Sequence, residues 1–255
     1  LSTWVPGPER NNLAWELRRV DLAQRALALS PEFGFAHSVL ADKLSYLANV
    51  NPSENHEQNL TSALKNSLLA IENSANESNA VFNVAQYYLH SGQIRASASM
   101  MERVLELDPN NALARGLAPV IPYACIAAPD SVVANAIAYD ASLATDNPIR
   151  WVTLSGLGSL HMNRGEYAKA LDAEEKAAQI FQVPNSIVRR AVLLNLLGKR
   201  DDAIALLRAQ GRNWSNDLAK HFADVTMPRI CREFPEADQM LALYRMLAHD
   251  VGQLN

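Results

Sequence analysis

Apolar residues recur every three or four positions along almost the whole chain, the spacing that gathers them on one face of an α-helix. Prolines and polar clusters fall between these stretches, so the pattern predicts a succession of amphipathic helices. The stretches end in similar ways: ALALSP at 26–31, LELDPNN at 105–111, SLATDNP at 142–148 and FQVPN at 181–185. Their prolines, Pro31, Pro109, Pro148 and Pro184, are separated by 78, 39 and 36 residues, the first interval leaving room for two units and an insertion. That period lies near the roughly 34 residues of a helix–turn–helix repeat.

The clearest unit is RWVTLSGLGSLHMNRGEYAKALDAEEKAAQI at 150–180. Gly158 stands where its first helix must pass close to the second, Gly165 ends the first helix, and Tyr167, Ala170 and Ala177 form the packed face of the second. A second unit, 79–111, places Ala85, Tyr88, Gly92, Val104 and Pro109 at matching offsets; a third, 187–210, places Ala191, Leu194, Gly198 and Ala203. These offsets resemble the tetratricopeptide repeat: a small residue in helix A, a turn glycine, an aromatic two positions later and two alanines in helix B. His161 and Glu174 stand where that family prefers aromatics, which implies looser packing there. The resemblance implies an all-α, TPR-like αα-superhelix (solenoid) of about five to six degenerate hairpins in a single domain, 1–255. The units expected are 9–31 (partial), 34–74, 78–109, 112–148, 149–182 and 184–214, followed by C-terminal helices at 217–251.

Composition agrees with closely packed helices: apolar residues make up 49% of the chain, aromatics 7%, and glycine is sparse. A formal charge of −4 with scattered Lys and Arg provides no field to attract a polyanion, so direct nucleic-acid binding is not expected. The most apolar run, ALARGLAPVIPYACIAAP at 112–129, contains Arg115, Pro119 and Pro122 and reads as a proline-broken core helix, not a membrane span. Cys125 and Cys231 lie 106 positions apart with no metal-ligand spacing, and are expected to be buried free thiols, a long-range bridge being the alternative if the protein is extracytoplasmic. The chain starts at Leu1 and reads as an excised or processed piece.

No constellation of catalytic or ligating residues stands out. The six histidines, His37, His56, His90, His161, His221 and His249, are isolated, so neither metal nor cofactor is expected. SGLGSLH at 155–161 lies inside a helix and lacks the spacing of a phosphate loop, and SALK at 62–65 lacks the companion motifs of a serine acyltransferase. The acidic pairs Glu174-Glu175 and Asp201-Asp202 fall on B helices, where a solvated outer face is expected. The reading is therefore of a non-enzyme; an enzyme on an α/α array, for which Asp42 and His90 are the sole candidate residues, is the least favoured alternative.

Function is then expected on the concave side, lined by the A helices. In register these are Phe35, Ser38, Asp42 and Tyr46; Asn79, Phe82, Gln86 and His90; and Val152, Ser155, Ser159 and Asn163. With Asp42 as the sole charge, the set suits a neutral or mixed peptide, not an acidic tail of the kind cationic grooves clamp. Alternatively these residues fill the seams between repeats. AQRALALSPEFGFAHSVLADKLSYL at 23–47, with the degenerate units behind it, is similar to the C-terminal repeat region of ToxR/CadC-like bacterial transcription regulators and adenylate-cyclase-like repeat proteins. That similarity implies a sensing or interaction region, periplasmic or cytoplasmic, able to homodimerise; the alternative is a scaffold of a cell-envelope or secretion complex.

Overall fold

The computed structural model describes residues 13–50, 56–74, 77–182, 184–209, 224, 227–234, 237–238, 241–242 and 245–246. The expected loop at 49–55 and the helices at 217–251 lie wholly or largely outside these residues, as do His221, His249 and Trp4 to Pro8. The chain divides into two compact units, Leu1–Arg115 and Gly116–Asn255.

In the first unit, α1 (Leu13–Leu29) packs on α2 (Gly34–Val50), α2 pairs with α3 (His56–Asn73), and α4 (Ser78–His90) pairs with α5 (Ile94–Leu107). The hairpins stack through α3 on α4 and α2 on α4. Small residues at the crossings let the backbones approach: Ala41 and Ala85 in the A helices, and Ala63 and Ser97 in the B helices, are buried. Ser97 replaces the expected alanine and donates its hydroxyl to Ala85 O at 2.8 Å, satisfying the polar atom that the substitution introduces.

In the second unit, the proline-broken run behaves as the sequence predicts. α6 (Ala112–Leu117), at the boundary, stops before Pro119, and a short 3-10 turn, Ile121–Tyr123, follows with Pro122 in its first positions, where a missing N–H costs nothing. Then come α7 (Asp130–Ser142), α8 (Arg150–Asn163), α9 (Tyr167–Ile180), α10 (Pro184–Leu196), α11 (Arg200–Ala209) and α12 (Met227–Ile230). α8 pairs with α9 and α10 with α11, while α7 packs on α8 and α9 on α10. Pro184 does not trail α9; it opens α10 at the first helical position, which tolerates proline.

Three hairpin turns share one backbone design. Gly92, Gly165 and Gly198 adopt φ of 73°, 74° and 76°, a left-handed conformation in which a Cβ is strained. Each glycine N–H donates to the carbonyl three residues back, and the next N–H, of Gln93, Glu166 and Lys199, donates to Tyr88, His161 and Leu194 O respectively at 2.7–2.9 Å. This is the Schellman closure of a helix C-terminus, repeated at equivalent places.

The cysteines correct the sequence reading. Cys125 and Cys231 form a disulfide, with Cα atoms 5.5 Å apart, so neither is a free thiol. Cys125 follows the 3-10 turn and Cys231 follows α12, and both sit in one core with Met162, Ile187, Ala191, Val192 and Met227. The bridge escapes notice in the sequence because 106 residues separate two places that folding brings together.

Candidate functional site: A-helix faces and a buried ion pair

In the first unit the A helices offer side chains of two kinds. Phe35 is 50% exposed at the start of α2, whereas Phe82 is buried in α4. Ser38 is buried, and its carbonyl accepts from Asn83 Nδ2 at 3.2 Å, joining α2 to α4. Asp42 Oδ2 is buried and lies 2.8 Å from the buried Lys43 ammonium, an ion pair closed off from solvent. Tyr46 lies on α2, with its side chain outside the described set. On α4, Asn79 is exposed and donates to Glu77 Oε1 at 3.3 Å; Gln86 is half-buried with no hydrogen-bond partner, and His90 is half-buried in the last turn.

The α8 residues are committed inward. Val152 is buried, Ser159 Oγ donates to Ser155 O at 3.1 Å, and Asn163 Nδ2 donates to Tyr123 O at 2.9 Å. Ser155 Oγ accepts a short hydrogen bond from Arg189 Nη2 and lies 3.4 Å from Glu174 Oε1, toward which it donates. Glu174 itself corrects the expectation of a solvated acid: it is fully buried, and Arg189 donates Nε to its Oε1 at 2.8 Å and Nη2 to its Oε2 at 3.3 Å. Burial pushes the Glu174 carboxyl up, and the Arg189 charge and hydrogen bonds pull it back. Gly158 makes room for this carboxylate, since a Cβ there would stand 2.8 Å from Glu174 Cγ. The departure from the aromatic preference at 174 thus fills the space with an ion pair tying α8, α9 and α10. The signal was present in the sequence: Glu174 lies four residues after Ala170 and three before Ala177, on the packed face.

His161, the other departure, is also buried and donates Nδ1 to Glu166 Oε2 at 2.6 Å. Arg164 donates to Glu166 Oε1 at 3.2 Å, to Asp130 Oδ1 at 2.6 Å and to Ala128 O at 2.7 Å, pinning the α8–α9 turn to the start of α7. The His161 hydrogen bond, with Lys169 and Arg164, draws the Glu166 carboxyl down to about 2 from 4.5. A carboxyl lowered by folding stabilises fully above its unfolded value, and that stabilisation is lost as pH falls through its folded value. Thermal melts should therefore show wild type above Glu166→Gln at pH 5 and the gap closing toward pH 2. A gap independent of pH would contradict the assignment.

Among the described residues no group of three His, Cys, Asp or Glu side chains could hold a metal ion, and no helix is long and apolar enough to cross a membrane.

No family model and no curated protein matches the chain. Among solved structures it is similar to a tetratricopeptide repeat protein from Parabacteroides merdae ATCC 43184, at 14% identity over 92% of each chain with a TM-score of 0.45. It is also similar to the MamA protein, at 15% identity over 72% of this chain and 96% of that one with a TM-score of 0.37. A third similar structure, MamA RS-1 ArsTM double mutant, shares 13% identity over 68% of this chain and 96% of that one, with a TM-score of 0.42. Among the described residues the chain is all-α, built of helical hairpins with repeated Schellman turns and small residues at their crossings.

Proposed function

We propose that the chain is a non-catalytic module that binds a peptide or protein segment along the A-helix face of α2 and α4. Gln86 carries the reading: a half-buried amide without a partner is a donor and acceptor held ready for a ligand backbone. Phe35 supplies exposed apolar area in the proposed face. The preferred ligand is a neutral or mixed segment. Asn79 and His90 extend this face, whereas Val152, Ser155, Ser159 and Asn163 serve the packing of α8 in the second unit and have no part in it.

In the cell the module serves as the sensing or interaction region of a bacterial transcriptional or signalling regulator. The Cys125–Cys231 bridge favours an oxidising compartment, as expected of an extracytoplasmic region. A scaffold of a cell-envelope complex would share that compartment and is the second reading.

The test is selection of peptides from a displayed random library, followed by titration against wild type and the Phe35→Ala/Gln86→Ala double variant. The variant should bind selected peptides at least ten-fold more weakly, about 1.4 kcal/mol, with an unchanged helical circular dichroism spectrum. Equal affinity would remove α2 and α4 as the binding face. Phe82 is unsuitable for this purpose, because Phe82→Ala would report on packing.

A further inference from the structure

In the stretch that carries Cys231, the residues Met227, Cys231, Phe234, Ala237 and Leu241 recur at intervals of four, three, three and four, the spacing of one helix face. The α12 helix covers only Met227–Ile230, too short to sustain itself, and a proline at 235 denies the stripe one long helix. Main-chain hydrogen bonds run from Cys231 N to Met227 O, from Phe234 N to Cys231 O and from Ala237 N to Phe234 O at 2.9–3.0 Å, all inside the stretch. It enters the core of α10 and α11 through Met227, Ala237 and Leu241, with Ile230 and Phe234 half-buried beside them, and through the Cys125–Cys231 bridge.

The α8–α9 hairpin is held differently. Leu157, Leu160 and Ala173 share a core with Val120 and Ala136, distinct from that of the cysteines, and the Glu174–Arg189 pair ties the hairpin to α10. Fixing each residue of 227–241 costs chain entropy, and without the bridge the offset falls to a few buried apolar side chains. The balance then favours release. We infer that the Cys125–Cys231 bridge is a redox-sensitive latch: its reduction frees 227–241 and opens the core shared with α10 and α11, while α8–α9 stays folded. Both cysteines are buried, so attack follows a local opening of the stretch. A dithiol supplies the electrons. One of its thiolates attacks a sulfur of the bridge, the departing cysteine thiolate takes up a proton, and the second thiol resolves the mixed disulfide. Cys125 and Cys231 end as two thiols and the reductant as a disulfide, two electrons and two protons having passed between them. In an oxidising compartment the latch rests closed, and a dithiol oxidoreductase is the class of partner that opens it.

Two measurements on the whole chain test this. Hydrogen exchange is followed before dithiothreitol, after it and again after reoxidation. Reduction should speed exchange of the Cys231 and Phe234 amides at least about ten-fold, with a smaller rise in α10 and α11 and little change in α8 and α9. Reoxidation should restore the starting pattern. The second measurement uses Cys231→Ser, which leaves Cys125 as a single thiol. Maleimide should label that thiol in the native protein within about ten-fold of its rate in denaturant, while circular dichroism stays helical. The inference is overturned by unchanged exchange at Cys231 and Phe234 on reduction, or by a Cys125 thiol that labels more than about ten-fold slower than in denaturant. It is overturned equally by exchange that rises alike from α8 to α11, or by loss of helix in Cys231→Ser, either of which would make the bridge a staple of the whole unit. The α2–α4 face and its ligand enter neither measurement, so failure there leaves this result unaffected.

Discussion

Arg189→Met is expected to destabilise the second unit by about 3–5 kcal/mol, lowering its melting temperature by roughly 10 °C or more. The substitution removes the hydrogen-bonded counter-charge of a carboxylate that has no exposed surface, leaving it the Ser155 hydroxyl and the more distant charge of Arg190. An ion pair in such a place is not itself strongly stabilising, because desolvation offsets most of the attraction; the large cost arises when one member is left alone. The double variant Glu174→Leu/Arg189→Met should therefore recover to within about 1–2 kcal/mol of wild type or exceed it. Calorimetry of wild type, the single variant and the double variant distinguishes these cases. A single variant as stable as wild type would mean that Glu174 is solvated after all.

Replacing Cys125 and Cys231 together by Ala should cost about 2–5 kcal/mol. The bridge spans 106 residues, and closing so long a loop removes much of the freedom of the unfolded chain. It also fastens the segment carrying Met227 and Cys231 to the core formed with Ile187, Val188 and Leu207. Maleimide labelling in denaturant should find no reactive thiol before reduction and two afterwards, and the double Ala variant should melt lower by a margin comparable to that of reduced wild type. Two thiols labelled without reductant would contradict the bridge.

Much of the fold was legible because its determinants are local. The glycines of the hairpin turns, Gly92, Gly165 and Gly198, announce themselves by offset from Ala85, Gly158 and Ala191, and each adopts the left-handed conformation that the turn requires. Pro119 and Pro122 break the apolar run at 112–129 for a reason already contained in the residue type. What was not legible depends on the third dimension. Glu174 falls on the packed face with Ala170 and Ala177, but the partner that makes a buried carboxylate tenable, Arg189, lies on the next helix, 15 residues later, and no local pattern joins the two. The cysteines likewise carry no spacing that betrays their approach. Helical register alone also does not distinguish the exposed Phe35 from the buried Phe82, because that depends on which neighbouring hairpin covers each.

The central claim is that ligand is held on the A-helix face of the first unit. Hydrogen exchange with and without a selected peptide tests it most directly. The account predicts added protection in α2 and α4, centred on the turns around Phe35 and Gln86, with α3 and α5 changed little. Protection confined to α3 and α5, or no protection in this unit, would contradict it.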